Sequence, residues 1–294
     1  MRTNRREIFD LMRSKRICED LSGFCYIFII QFMEVSIHKP KTTKPNNIVD
    51  FGFFLAGLID SDGHFSKIPQ LVVCFHEKEI HLPYYLKKKL GYGVVSNKKG
   101  VKFIMAHSLG LEKVCALVHN KLQHKDKIIQ YNTRLRSLKS WHFTEKQDLF
   151  SIKENPWFAG FFMGDGCFQI KIIQRTDRKK AEYRVVIQID QKTKCLLLQI
   201  KNAFGGSVYY RKSTDTFYYS SVNFAVAKNI IQYFDRYHLM GVKMTQYTLW
   251  RKVFLKIQNN NFNRTPLDYK WISKVKKRMS DLHPYTLRCL HHRR

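Results

Sequence analysis

Phe51-Gly-Phe-Phe-Leu-Ala-Gly-Leu-Ile-Asp-Ser-Asp-Gly-His-Phe65 and Pro156-Trp-Phe-Ala-Gly-Phe-Phe-Met-Gly-Asp-Gly-Cys-Phe168 are two stretches of this chain that share one pattern. In each, an Ala-Gly pair is followed by apolar residues and then by Asp-Gly. The two Asp-Gly pairs, at Asp62 and Asp165, are 103 positions apart. Such repetition predicts a chain built from two similar halves.

The residues after each stretch also repeat in their pattern. Alternating and helical periodicities predict helix, two strands, helix, two strands and helix in each half, an α+β fold. Val186–Lys192 resembles Val72–Lys78 at an offset of 114 rather than 103, so we expect a hairpin longer by about eleven residues in the second half. The predicted organisation is an N-terminal, leader-like extension at 1–46, a first repeat at 47–150, a second repeat at 151–258 and a basic C-terminal extension at 259–294.

The repeated segments are predicted to be helices that pack against each other. Their large apolar residues fall at helical spacing, which places one face of each helix in the core. Ala56-Gly57 and Ala159-Gly160 are small, and glycine within a helix otherwise costs about 1 kcal/mol. Close approach of the two helix backbones explains these small pairs.

A carboxylate ends each predicted helix. Asp62 and Asp165 precede Gly63 and Gly166, which we expect to end the helices in the left-handed conformation. Two carboxylates at adjoining helix C-termini are unfavourable, because the helix dipoles and the neighbouring charge both oppose them. Divalent cations would relieve the repulsion, and hard oxygen ligands suit Mg²⁺. We therefore predict that Asp62 and Asp165 bind metal and serve phosphodiester hydrolysis.

Leu55-Ala-Gly-Leu-Ile-Asp-Ser-Asp-Gly63 closely resembles the nine-residue signature of the LAGLIDADG homing endonucleases. Phe158-Ala-Gly-Phe-Phe-Met-Gly-Asp-Gly166 resembles a degenerate second copy that departs at Phe158, Met163 and Gly164. The resemblance covers about residues 47–258. It implies a monomer of pseudo-twofold tandem αββαββα repeats, whose two saddle-shaped antiparallel sheets lie on double-stranded DNA. It also implies that Asp62 and Asp165 are the catalytic acids.

The resemblance further suggests one basic residue near each active site. Lys243, in the stretch before the last long helix of the second half, fits this position. In the first half Lys127 fits best when Gln130-Tyr131 is matched to Gln246-Tyr247, and Lys125 is the alternative. Such lysines can stabilise charge that develops on the phosphate.

The strands are expected to present a DNA-reading face. Successive side chains of a strand point to opposite sides, so Phe168, Ile170 and Ile172 point inward. Arg, Lys and Gln match base edges in the major groove, which admits β-ribbons. Because the two halves differ, we expect a loosely palindromic target. The predicted DNA contacts are His64, Ser66, Gln70, Gln169, Lys171, Arg184 and Gln188 on the strands, and Lys98, Lys102, Arg175, Arg178, Lys179, Lys180, Arg211 and Lys212 at the backbone or flanks.

Composition supports a polyanionic partner. The chain has 52 Lys+Arg against 23 Asp+Glu, a formal charge of +29, which points to nucleic acid or an anionic membrane surface. Its seven cysteines form no CxxC pair, which predicts free thiols rather than a disulfide framework. The Lys-, Phe-, Tyr- and Ile-rich composition suggests an organelle, with a mitochondrion slightly favoured over a chloroplast.

Three functions remain open at this point. The first is a site-specific endonuclease that makes metal-dependent double-strand breaks for intron homing. The second is an intron maturase on the same fold, for which the basic stretch Lys274-Val-Lys-Lys-Arg278 could bind intron RNA. The third, a membrane-associated protein, rests on the apolar residues 21–33, which are too short to span a bilayer comfortably. Both aspartates favour the enzyme, because RNA binding needs neither, and we expect no membrane partner.

Overall fold

The computed structural model describes residues 34–98, 100–135, 150–174, 176, 181–259 and 265–282. The chain divides into a unit at 1–36 and a unit at 37–294. All the elements below belong to the second unit. Of the sequence predictions, Arg175, Arg178, Lys179, Lys180 and the apolar stretch 21–33 lie outside the described residues.

Each half of the second unit is built from helices and one antiparallel sheet. The first half contains α1 (Ile48–Asp62), β1 (Gly63–Phe65), β2 (Leu71–Phe75), a 3₁₀ helix (Glu77–Glu79), α2 (His81–Leu90), β3 (Val94–Ser96), β4 (Val101–Met105), α3 (Ser108–Val118) and α4 (Lys125–Arg134). The second half contains α5 (Trp157–Asp165), β5 (Gly166–Ile173), β6 (Glu182–Gln191), α6 (Cys195–Phe204), β7 (Ser207–Arg211), β8 (Thr216–Ser220), α7 (Phe224–Arg236) and α8 (Gly241–Gln258). A final helix, α9 (Pro266–Asp281), follows.

The two sheets have the same topology. Their strand orders are β1-β2-β4-β3 and β5-β6-β8-β7, and every pairing is antiparallel. The predicted pair of αββαββα repeats is thus confirmed, and each half continues into one further helix, α4 or α8. Of these only the long α8 was expected from the sequence, because α4 is short and mostly polar.

The helices α1 and α5 pack against each other at the centre of the fold. Asn47 caps α1 by accepting a hydrogen bond from Asp50 N at 2.6 Å, and Asn155 accepts from Trp157 N at 2.9 Å where α5 begins. A Cβ on Gly57 would lie 1.9 Å from the carbonyl oxygen of Trp157, and one on Gly160 would lie 2.0 Å from that of Phe54. The predicted close approach is therefore confirmed, and glycine is the residue that permits it.

The predicted left-handed glycines at the helix ends are wrong. Gly63 and Gly166 both have extended backbones, with φ of −89° and −78°, so each helix passes directly into a strand. Glycine is required at these two positions because there is no room for a side chain. A Cβ on Gly63 would lie 2.6 Å from Ile59 Cα, and one on Gly166 would lie 2.3 Å from the ring of Phe162.

Strand register also corrects the length of the second hairpin. Gly63 pairs with Val73, ten positions on, whereas Gly166 pairs with Ile189, 23 positions on. The second β-hairpin is therefore longer by 13 residues, not about eleven. The matched sequences were misaligned by two positions, which preserves the face on which each side chain lies.

Part of the predicted N-terminal extension contacts the second half. Thr42 Oγ1 lies 3.0 Å from His238 Nδ1, Lys39 Nζ donates to Met244 Sδ at 3.5 Å, and the Arg251 guanidinium donates to the carbonyl of Ile37 at 3.4 Å. Residues 37–42 thus run along α8. Among the described residues, no helix is both long and apolar enough to cross a bilayer.

The helix contact makes a direct stability prediction. Gly57→Ala should lower the free energy of unfolding by about 3 kcal/mol or more, because the new methyl group overlaps backbone that cannot rotate away. The measurement is urea unfolding followed by circular dichroism. Gly91→Ala is the reference variant. The added Cβ would meet open space, but the backbone at Gly91 has a φ of 82°, so this variant should lose only the left-handed backbone strain of about 1–2 kcal/mol. Equal losses in the two variants would contradict the close packing.

Candidate active site and nucleic-acid interface

The carboxylates of Asp62 and Asp165 stand at the adjoining ends of α1 and α5. A Cβ on Gly164, the residue before Asp165, would lie 2.6 Å from Asp62 Oδ2 and 2.5 Å from Ser61 Oγ. Both carboxylates also act electrostatically on the ammonium group of Lys243. The structure therefore brings the two predicted acids into one neighbourhood. Gly164, a departure from the signature, makes that approach possible.

Gln191 is a site residue that the sequence reading missed. Its side-chain amide donates to Asp165 Oδ2 at 2.7 Å from a largely buried position at the end of β6. Gln191 pairs with Phe217 in the second sheet, as Phe75 pairs with Val101 in the first. Phe75 therefore holds the equivalent place in the first half, so the two carboxylates have chemically different neighbours.

Lys127 and Lys243 occupy equivalent positions. Lys127 Nζ donates to the carbonyl of Gly63 at 2.5 Å, and Lys243 Nζ donates to the carbonyl of Gly166. Each ammonium thus lies one peptide beyond a candidate catalytic aspartate. Lys125, the alternative for the first half, is exposed.

The residues around these lysines also match between halves. Tyr131 packs edge-on against Phe65 at 5.5 Å between ring centroids, and Tyr247 packs on Phe168 at 5.7 Å. This correspondence supports the pairing of Gln130-Tyr131 with Gln246-Tyr247 that selected Lys127. The catalytic role of the two lysines stays a prediction.

Lys243 is almost completely buried, at 1% exposure. Burial lowers the pKa of its ammonium group, while Cys167, Glu79, Asp62 and Asp165 oppose that shift. The neighbouring acids favour the charged ammonium, whereas burial favours the neutral amine. A lowered pKa also makes proton transfer easier near neutral pH.

Asp60 is a second residue that the sequence reading missed. Its carboxylate accepts hydrogen bonds from Gln123 N at 2.8 Å, His124 N at 3.2 Å and Trp157 Nε1 at 2.9 Å. Burial raises the pKa of Asp60 to about 7, against the opposing effect of these donors. Asp60 therefore ties together α1, α5 and the start of α4, which carries Lys127. The sequence did contain a signal for Asp60, because an acidic residue stands there among the buried apolar positions of α1.

Met163 is the counterpart of Asp60 in the second half. Its sulfur accepts from Met240 N at 3.4 Å, at the start of α8, which carries Lys243. The signature departure at Met163 thus keeps the same tether with a weaker acceptor. Phe158, the third departure, is fully buried and stacks on Phe234 in the core.

In the first sheet, two of the predicted DNA-facing residues, His64 and Lys102, share one surface. His64 lies opposite Val72, and Lys102 lies opposite Cys74, two positions further along the same strand and so on the same face. The remaining predicted residues of this half lie at the hairpin turns: Ser66 and Gln70 are half-buried between β1 and β2, and Lys98 is exposed between β3 and β4.

In the second sheet, the predicted residues form a connected polar row. Gln169 Nε2 donates to Gln188 Oε1 at 3.1 Å, Gln188 Nε2 donates to Asp190 Oδ2 at 2.8 Å, and Asp190 pairs with Arg211 at 2.8 Å. Lys171 lies opposite Arg184 on the same face. Val186 also belongs to this face, opposite Gln169, although it is only 3% exposed. Lys212 is exposed in the turn after β7.

Comparison with known proteins identifies the family. Residues 158–254 match the family described as LAGLIDADG endonuclease. An uncharacterised 37.2 kDa protein of cox1 intron 2 from Schizosaccharomyces pombe is 43% identical over 260 residues, which cover 86% of this chain and 77% of that protein. The chain belongs to the LAGLIDADG homing endonuclease family.

More distant proteins also resemble this chain. The intron-encoded RNA maturase bI4 of Saccharomyces cerevisiae is 26% identical over 215 residues, 71% of this chain but 32% of the maturase. The meganuclease I-SmaMI bound to uncleavable DNA has the same LAGLIDADG fold, with a TM-score of 0.63, 20% identity and coverage of 78% of this chain and 98% of that one. I-SmaMI bound to uncleaved DNA in the presence of calcium ions gives a TM-score of 0.57 at 20% identity, again over 78% and 98% of the two chains.

The buried carboxyl of Asp60 predicts a pH-dependent stability difference. In the unfolded chain this carboxyl ionises near pH 4, and in the folded chain near pH 7, so the folded chain binds more protons in between. The stability of the wild type relative to Asp60→Asn should therefore fall as pH rises from about 4 to about 7, by up to about 1.4 kcal/mol per unit. Urea unfolding of both proteins at several pH values measures it.

Met163→Leu is the matched control, because it alters the counterpart tether without a titratable group. Its stability difference from the wild type should not change with pH. If the stability of the wild type relative to Asp60→Asn stayed constant or rose over this pH range, the raised pKa of Asp60 would be contradicted.

Proposed function

We propose that this chain is a monomeric, site-specific DNA endonuclease that makes metal-dependent double-strand breaks at a long, loosely palindromic site, the reaction of intron homing. The observation that carries the proposal is the meeting of two carboxylates, Asp62 and Asp165, at the ends of α1 and α5. Each has a lysine ammonium one peptide away. Two similar centres side by side suit the cutting of two strands.

The oxygen ligands that this site offers are of the kind that Mg²⁺ binds. Asp62 and Asp165 supply hard carboxylate oxygens, and the amide of Gln191 beside Asp165 adds a polar group that can hold a metal-bound water. When bound, Mg²⁺ would supply an activated water and stabilise charge at the leaving oxygen. The I-SmaMI structure with calcium ions supports a divalent cation in this family.

The two lysines are proposed to act on the phosphate and its attacking water. Lys127 and Lys243 donate to the carbonyls of Gly63 and Gly166 in this structure, so their ammonium groups are fixed beside the carboxylates. A fixed cation stabilises the charge that builds up on the phosphate oxygens. Lys243, with its lowered pKa, is also suited to exchanging a proton with water.

The faces of the two sheets are proposed to read the DNA. The polar row from Gln169 to Arg211 offers amide and guanidinium groups, whereas the first face offers His64 and Lys102. Glutamine and arginine recognise adenine and guanine edges, respectively. Because the two faces differ, the two half-sites should differ in sequence. On binding DNA, the side chains of the polar row would replace their hydrogen bonds to each other with hydrogen bonds to base edges.

The proposed location is an organelle, with the mitochondrion ahead of the chloroplast. The support is the relative named for cox1 intron 2 and the name of the intron-encoded maturase. The maturase likeness also supports a second candidate function, RNA splicing of a host intron. The endonuclease is preferred because a pair of lysine-flanked acids has no use in RNA binding alone.

Substitution of either acid tests the proposed function. Asp62→Asn and Asp165→Asn should each lower double-strand cleavage in Mg²⁺ by a factor of about 10² or more, while DNA binding persists, because charge stabilisation at the reacting phosphate is lost. The substrate is a duplex selected from a randomised library by the wild-type enzyme, and EDTA defines the background.

Asp50→Asn is the matched control. Asp50 lies on the same helix α1, twelve residues or about 18 Å from Asp62, and its loss affects only the helix start. It should cleave like the wild type. Normal double-strand cleavage by Asp62→Asn or Asp165→Asn would refute the site. Splicing activity without any cleavable duplex would select the maturase.

A further inference from the structure

A groove runs along the outer side of β5, between this strand and α9. Cys167, Gln169 and Lys171 line it on the strand, and Lys276 and Ser280 line it on the helix. A second cavity continues it past Gln174 and is lined on the helix by Lys276, Lys277 and Ser280. We call this continuous feature the α9 groove. It begins two residues after Asp165 and follows β5 for about 20 Å.

The helix that walls the α9 groove is firmly attached to the fold. Thr265 and Asp268 form a reciprocal capping box, and Lys256 pairs with Asp268 at 2.8 Å. At the other end Gln246 donates to the carbonyl of Met279 at 3.4 Å, and Lys78 donates to that of Asp281 at 3.1 Å. The position of α9 beside β5 is therefore a built feature of the fold.

Charge within the α9 groove is of one sign. Lys171 and Lys276 line the first cavity, Lys276 and Lys277 line the second, and the lining of the two cavities includes no carboxylate. Asp268, the acid in the first turn of α9, belongs to the cap and to the pair with Lys256. Three ammonium groups around one concave surface repel each other unless an anion lies among them.

Four basic residues near the end of α9, Lys274, Lys276, Lys277 and Arg278, lie on different sides of the helix. Ile272, Val275 and Met279 are buried and define the face that packs on the fold. At 100° per residue, Lys276 lies on the flank toward β5, Lys277 lies away from the packed face and borders the second cavity, and Lys274 and Arg278 lie on the opposite flank. Of these four basic residues, only Lys276 and Lys277 line the groove.

We propose that the α9 groove binds the phosphate backbone of the DNA strand flanking the second active site, with Lys276 and Lys277 as phosphate contacts. The inference rests on the proposed function, because the strand wall of the groove contains Gln169 and Lys171 from the DNA-reading face. The family match ends at residue 254, before α9 begins.

The test compares two double variants with the same loss of charge. Lys276→Gln/Lys277→Gln removes the two lysines of α9 that line the groove, and Lys274→Gln/Arg278→Gln removes two basic residues of α9 that do not line it. Binding of the full chain to a random-sequence duplex of about 40 base pairs is measured by fluorescence anisotropy from 50 to 300 mM KCl without divalent metal. The groove variant should bind more weakly, and its log-log salt slope should be smaller by about 2, because two phosphate contacts are lost.

The control variant should keep a slope close to that of the wild type. Equal slope changes in the two variants would overturn the α9 groove while leaving the proposed function intact. Failure of the wild-type chain to bind the duplex would overturn both. A groove variant that loses affinity for a structured intron RNA but retains its full salt slope on DNA would assign the groove to RNA and so refute the proposal.

Discussion

The whole arrangement depends on the backbone contact between α1 and α5 at Gly57 and Gly160. Because these helices meet without intervening side chains, their C-terminal ends converge, and the residues that end them converge as well. Asp62 and Asp165 then stand together although the helix dipoles and their mutual repulsion oppose it. An arrangement that folding does not favour points to a ligand that compensates it, and the divalent cations proposed to bind with DNA would supply that compensation.

The packed helices α1 and α5 also hold the segments that carry the two lysines. Asp60 and Met163 occupy equivalent helix positions, and each accepts backbone N–H groups from the segment that leads into a lysine-bearing helix. The packed helix pair therefore positions the ammonium groups as well as the carboxylates. The two halves are not identical, however. The buried carboxylate of Asp60 accepts the hydrogen bonds in the first half, and the thioether of Met163 does so in the second. Gln191 donates a hydrogen bond to Asp165, whereas the equivalent position in the first half is Phe75.

The sequence allowed the repeat, the two sheets, the helix packing and the positions of both acids to be predicted, because each follows from local periodicity or from a duplicated motif. Lys127 was found through the match of Gln130-Tyr131 to Gln246-Tyr247. The left-handed ends of α1 and α5 were wrong, since tight packing against Ile59 and Phe162, not backbone handedness, requires Gly63 and Gly166. Gln191 and Asp60 were missed because their partners are distant in sequence. The α9 groove could not be predicted from the sequence either, since no sequence pattern indicates that α9 packs beside β5.

The most direct test of the central claim is anomalous diffraction from Mn²⁺ in a crystal of this chain with its selected DNA duplex. The account predicts Mn²⁺ peaks within about 2.0–2.4 Å of carboxylate oxygens of both Asp62 and Asp165 and of phosphate oxygens at the two cleavage positions. Metal bound away from either carboxylate, or carboxylates separated by the DNA with no shared cation site between them, would contradict it.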